Sequence, residues 1–248
     1  MNYIDPFKAP FASPNWLKNL GLQSLCALIP VIGPIVLGGY GADVIAARAL
    51  NRHAQVPDFD FNYFTRYLQR GVWPFLVGLV VGLVMLPCTF LSVIPLFLGI
   101  FSNDTLGFFT GLAAYLFLLM LSILVTQFIA APLQLRATLL QNFSQAFNFR
   151  WVLAMLGATI VQNLVILLIG LALMLPFICL VFATFGLAAY VLNAYFMNVS
   201  WHFLIAEYYV FLDKGGEPLP VVGYDGQGQP RGFDIVTQPT PPAPPVSP

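Results

Sequence analysis

Few residues in this chain carry side chains able to do chemistry inside an apolar run, and the densest group lies late in the sequence. Tyr190, Asn193, Asn198 and His202 form a broad polar stripe on a helix, and Glu207 follows a turn or slightly more after His202. Ionisable residues within a membrane usually mark a substrate path or a proton relay. The stripe of Asn193, Asn198 and His202 is therefore a candidate lining for a small polar cavity. The plainer reading gives the amides to interhelical hydrogen bonds and Glu207 to the membrane interface. Gln127 and the pair Gln162 and Asn163 invite the same two readings.

The rest of the chemical inventory is thin. His53 and His202 are the only histidines, and no expected helix pairs two His, Asp or Glu ligands at i, i+4, so no metal site is expected. No GxSxG, phosphate-binding loop or GxGxxG occurs, which leaves no catalytic centre and no cofactor to expect. Gly38, Gly39 and Gly41 lie in an apolar run, where glycines permit close helix packing or a turn. Cys26, Cys88 and Cys179 each sit in an apolar run with no CxxC pairing and read as small buried residues.

Of the 248 residues, 59% are hydrophobic and only 8% charged. A soluble domain carries about 25% charged residues, so this supply cannot cover a water-facing surface. Several apolar runs exceed the roughly 20 residues that cross a bilayer core of about 30 Å. The fold class is all-α: a polytopic helical membrane protein whose first partner is the lipid bilayer. Ten basic residues balance ten acidic ones, so there is no basic field for nucleic acid. Residues 1–15 are polar and proline-containing, unlike a cleaved signal peptide, and the start is expected to be retained.

Among the elements that would position these residues, residues 1–18 form an irregular lead-in with Trp16 at headgroup level. The stretch Leu25–Gly41 carries Pro30 and Pro34 and either spans or turns back. If it turns back, with arms near 17–29 and 34–50, Lys8, Lys18, Arg48, Arg52, Arg66, Arg70, Arg136, Arg150 and Lys214 share one side. The loops near 101–105 and 177–185 then hold no Lys or Arg. Positive residues collect in the cytoplasm, so the charge count favours the hairpin, re-entrant or short, with both termini cytoplasmic in a prokaryotic plasma membrane.

Beyond it, residues 53–71 read as an interfacial helix that Asp60 would cap, with Arg66 and Arg70 opposite its apolar face. A span over Val72–Ile94, a bent interfacial piece, and a second span over about Leu106–Ala131 make the next hairpin. Residues 134–150 repeat the interfacial theme, and spans Trp151–Pro176 and Gly186–Glu207 make a third hairpin. Trp16 and Pro30 are spaced as Trp73 and Pro87 are, a weak internal repeat. The expected domains are a helical membrane part, 1–212, and a disordered Gly/Pro-rich soluble tail, 213–248, whose PPAPP could serve as a polyproline II ligand or a plain spacer.

The run from Gly33 to Val72 also resembles a prokaryotic membrane-protein family called domain of unknown function 4013. The residues that carry the resemblance are Gly39, Tyr40, Arg48, Arg52, Pro57, Asp58, Phe59 and Gly71. It is clearest over about residues 25–85, excludes the proline-rich tail, and implies fold and location rather than chemistry. The combined expectation is a non-enzymatic scaffold or accessory component of a membrane assembly, with membrane-protein partners and a tail available for binding. A transporter or lipid-handling protein is the alternative.

Overall fold

The computed structural model describes residues 1–102 and 104–223. Within them every regular element is helical. A short lead-in, α1 (Asp5–Lys8) and a 3₁₀ turn Ala9–Phe11, precedes α2 (Trp16–Ala27). The chain then breaks at Leu28–Val31, because Pro30 has no N–H to continue a helix. Val31 takes φ 64°, while the Ile32 N–H donates to the Pro30 carbonyl at 2.7 Å. This is a tight γ-turn, a strained conformation for a β-branched residue. It reverses the chain into α3 (Ile32–Leu50), in which Pro34 sits in the first turn. The expected turn at Pro30–Pro34 is thus where the helix pair folds back.

Asp60 accepts from the Asn62 N–H at 2.9 Å and starts a 3₁₀ turn, Phe61–Tyr63, that leads directly into α4 (Phe64–Ser92). α4 runs through Pro74 and Pro87 and is followed at Ile94 by α5 (Ile94–Phe101). Asp104 caps α6 (Thr105–Leu140) by accepting from the Leu106 N–H at 3.3 Å. Gln141, in the left-handed region at φ 49°, ends it. A one-turn helix, α7 (Phe143–Ala146), links it to α8 (Phe149–Ala183), which Asn148 caps. A turn with Phe185 at φ 50° and Gly186 at φ 87° reverses the chain into α9 (Leu187–Asp213).

Among the described residues, three helical stretches are long and apolar enough to cross a membrane: Phe61–Phe101, Thr105–Leu140 and Phe149–Ala183. α6, at 36 residues, is about 54 Å long, well beyond the hydrocarbon thickness, so part of it must stand clear of the core. Residues 61–71 of the segment 53–71 therefore run into α4, and residues 134–140 of the segment 134–150 continue α6 up to its end at Gln141, where separate interfacial helices were expected. Their amphipathic character belongs to the protruding ends of those helices. The piece expected to bend away after Ile94 instead packs along α6: a Cβ on Gly99 would press on the Gly107 carbonyl and the Gly111 backbone. Cys88 and Cys179 are exposed rather than buried, and Cys26 alone of the three is buried.

The core sits at one end. Tyr40, Tyr67, Tyr208, Phe59, Leu37, Leu133, Leu135, Leu139 and Met155 are almost wholly excluded from solvent there. The opposite ends of α4, α5, α6 and α8 project as arms. The most apolar 18-residue window of α8 has no buried residue, and that of α6 has 6%. Of the expected tail, residues 214–223 fold back on this core end. The Leu219 N–H donates to the Tyr208 hydroxyl at 2.7 Å, and the Val222 N–H donates to the Leu139 carbonyl at 2.9 Å. Leu219 and Val221 are buried, so this part of the stretch, expected to be disordered, is packed. The remainder, including PPAPP, lies outside the described residues.

Candidate functional site

Two glycines let α3 and α4 meet backbone to backbone. A Cβ on Gly39 would fall on the Tyr67 carbonyl, and one on Gly71 would fall on the Ile35 carbonyl and the Gly39 nitrogen. Tyr40, next to the crossing, donates from its hydroxyl to the Pro57 carbonyl at 2.9 Å. Its ring packs edge-on against Phe59, Tyr67 and Trp201 at 5.3, 5.8 and 5.6 Å between centroids. One residue after Pro57, Asp58 accepts from Ser13 Oγ, Asn15 Nδ2 and Asn19 Nδ2, each at 2.7 Å. Those bonds, from Asn15 first and then Asn19 and Ser13, hold its carboxyl below the usual aspartate range. Gly39, Tyr40, Pro57, Asp58 and Gly71 therefore tie four segments together: α2, α3, the loop that follows α3, and α4. Pro30 and Pro34 are both exposed at the turn and outside this knot.

Beside the knot lies a buried ion cluster. Asp43 on α3 pairs with Arg66 and, at 3.0 Å, with Arg70 Nε, both from α4. Asp43 and Arg70 side chains are 2% and 5% exposed, so the charges compensate each other out of water. Arg70 also donates from Nη2 to the Val222 carbonyl at 3.0 Å, which joins the ion cluster to the folded-back segment. The sequence placed Arg66 and Arg70 on the solvent face of an interfacial helix. The one local signal of their true orientation was Asp43, a lone acid in an apolar helix.

The polar stripe of α9 is divided. Asn193 and Tyr190 are exposed. Asn198 is buried and donates from Nδ2 to Gln23 Oε1 on α2 at 2.5 Å and to the Ala194 carbonyl at 2.8 Å. His202 is also buried. Asn198 and His202 border a void of only about 20 Å³, closed by Gln23, Asn19 and Tyr40, with room for little more than a water molecule. The structure does not bring Asn193 to it.

A larger cleft, about 490 Å³, opens between α6, α8 and α9. Leu167, Gly170, Leu173 and Phe196 give it apolar walls, and Gln127, Gln134, Asn163, Ser200 and Glu207 add a few polar groups. Asn163 spends its amide on Thr159, donating to both its carbonyl and its hydroxyl at 3.0 Å. Glu207 is 3% exposed, and its Oε1 has no hydrogen-bond partner among the described residues. An apolar cleft with a few convergent polar groups is the usual form of a small-molecule site. Gln127, Asn163 and Glu207 were visible as polar residues in apolar runs, but nothing local said that three helices bring them to one space.

No curated protein and no solved structure matches this chain. A family model does match, described as protein of unknown function (DUF4013), over residues 22–191. That region takes in the glycine crossing, Tyr40, Asp58, the ion cluster and the arms of α4, α5, α6 and α8, while the donors to Asp58 (Ser13, Asn15 and Asn19) precede it, and the chain belongs to this family.

Proposed function

We propose that this is a non-enzymatic multi-pass membrane protein that handles a lipid-like amphiphile, holding its chain in the cleft between α6, α8 and α9. The single observation that carries the reading is the cleft itself: apolar walls, several polar side chains, and an opening between helices whose outer faces are apolar. In this arrangement an amphiphile enters sideways from the bilayer, its chain along Leu167 and Leu173 and its polar end toward Glu207. α4 with α5, then α6, α8 and α9 run alternately away from and back to the charged end, where Asp213 pairs with Arg52. The α2–α3 hairpin stops short: Ile35 stands level with Gly71, while α4 continues to Ser92. We assign that hairpin to a re-entrant position and the charged end, with residues 224–248 as a soluble tail, to the cytoplasm of a prokaryotic cell.

A scaffolding role has one observation in its favour, the unburied apolar length of α8, which offers a packing face to another membrane helix. Gly170 separates the two readings. A Cβ there would meet nothing, so Gly170→Trp projects an indole into the cleft without disturbing the helices, and Gly157→Trp does the same on α8 away from it. With the protein in nanodiscs, a pyrene-labelled alkyl chain is expected to bind the wild type and Gly157→Trp and to fail with Gly170→Trp. Equal binding by all three, or none by the wild type, overturns the amphiphile reading.

A further inference from the structure

We propose that the cleft selects amphiphiles that end in a primary ammonium group, with Glu207 as the residue that receives it. The inference rests on the amphiphile reading above and adds the chemistry of the headgroup.

Glu207 is the only formally charged residue among the described residues that line the cleft. Its side chain lies almost wholly out of solvent, and Oε1 receives no donor from any described residue. A buried carboxyl group without a partner is costly, and a cation that also donates hydrogen bonds relieves that cost most directly. The neighbouring polar groups cannot supply it. Asn163 already donates to Thr159, and Ser200 donates to the Met197 carbonyl at 2.7 Å. The arginines of the core end are engaged elsewhere: Arg66 and Arg70 face Asp43, and Arg136 donates to the Gln145 carbonyl. Glu207 thus puts an acidic side chain with an unpartnered oxygen into the wall of a space large enough for an alkyl chain, and no cationic residue stands among the described residues of that wall.

A primary ammonium has three N–H donors on a compact charge, which suits one carboxylate oxygen together with amide oxygens from the same lining, where Gln127 and Gln134 also stand. A trimethylammonium carries the charge without a donor, a hydroxyl the donor without the charge, and a carboxylate repels. Charge-assisted hydrogen bonds in a low-dielectric site favour the ammonium by about tenfold to a hundredfold over an equal chain ending in a hydroxyl. An aminophospholipid and a free long-chain amine share this chemistry.

The test uses the full chain in nanodiscs and four probes of equal chain length: an alkylamine, its trimethylated form, the alcohol and the fatty acid. The wild type is expected to prefer the alkylamine at least tenfold over each of the others. Glu207→Gln is expected to keep chain binding and lose the preference. Should that variant fail to fold, the wild-type probe series alone decides. Equal binding of amine and alcohol, both blocked by Gly170→Trp, overturns the ammonium inference and leaves the amphiphile reading standing. Binding of no probe brings down the amphiphile reading itself. Lipid extracted from the purified protein identifies the source: aminophospholipid enriched over the parent membrane points to a lipid headgroup, and no enrichment alongside the amine preference points to a free amine.

Discussion

The two ends of this molecule are built from the same helices on opposite principles. At the core end, α3, the start of α4, the end of α6 and the end of α9 pack through glycine backbones, aromatic rings and a buried ion cluster. On the arms the same α4 and α6, with α8, present Leu, Phe and Val outward. The lesson lies in what each side chain has for a neighbour. A core-end residue is specified by one partner on another helix, whereas an arm residue needs only to be apolar, because lipid is a tolerant neighbour. Mutational sensitivity should divide the molecule along the same line.

The glycines sharpen this most. Gly71→Leu sets a side chain onto the Ile35 carbonyl and should force α3 and α4 apart, at a cost above about 4 kcal/mol. Gly82→Leu, on the same helix but with nothing near its Cβ, should be close to neutral. Yield and monodispersity in detergent separate the two, and equal tolerance would erase the distinction between the ends. Next come the acids. Asp43→Ala leaves Arg66 and Arg70 without their shared carboxylate and should cost about 3–5 kcal/mol. Asp104→Ala, which removes only a helix cap at the tip of an arm, should cost about 1 kcal/mol. Thermal unfolding midpoints of the two variants should differ accordingly, and a larger loss for Asp104 would contradict the scheme.

Amides follow. Asn198→Leu strands the buried Gln23 acceptor and should cost about 1–3 kcal/mol, while Asn193→Leu, on the exposed part of the same helix, should cost little. Loss of a cleft ligand in Asn193→Leu, with stability unchanged, would restore the original stripe as a lining and break the division made here within α9.

What could be read from the sequence follows the same physics. The arms were legible because lipid imposes a one-dimensional rule, a long apolar run: the runs around Leu106–Ala131 and Trp151–Pro176 fall inside α6 and α8, and that around Val72–Ile94 covers α4 to its end at Ser92 and overruns it to the first residue of α5. Pro30 gave away the turn because a missing N–H is local. The core end was less legible because its determinants are pairs far apart in the chain. Arg70 finds Asp43 on another helix and the Val222 carbonyl beyond the last one, and no periodicity within residues 53–71 encodes either. Leu219 and Val221 sat in a Gly/Pro-rich context that hid two core residues. Gly39, Tyr40, Asp58 and Gly71 carry the family resemblance in the sequence, yet their work as a backbone crossing and a latch is visible only in the fold. The cleft is the extreme case: Gln127, Asn163 and Glu207 belong to three helices, and only packing makes them one site.

The smallest expected effect lies at the edge of the core end, where Asp58 meets water. Its carboxyl titrates below the ordinary value because Asn15, Asn19 and Ser13 donate to the ionised form. An unfolded aspartate titrates at about 3.9, so the latch contributes fully above that pH and loses its contribution as pH falls through the lower, folded value. Asp58→Asn removes the titrating group while leaving every other acid in place. The stability gap between wild type and this variant should be flat above about pH 5 and close progressively below about pH 4. The gap should be small, since the exposed carboxylate is screened by solvent. Hydrogen exchange at Phe59, whose N–H donates to Asn19 Oδ1 at 3.2 Å, reads the latch directly, and its protection relative to the unfolded rate at the same pH should fall in acid for the wild type alone. If both proteins lose protection together, Asp58 does not hold α2 to the loop, and the boundary of the sensitive end moves inward to Tyr40.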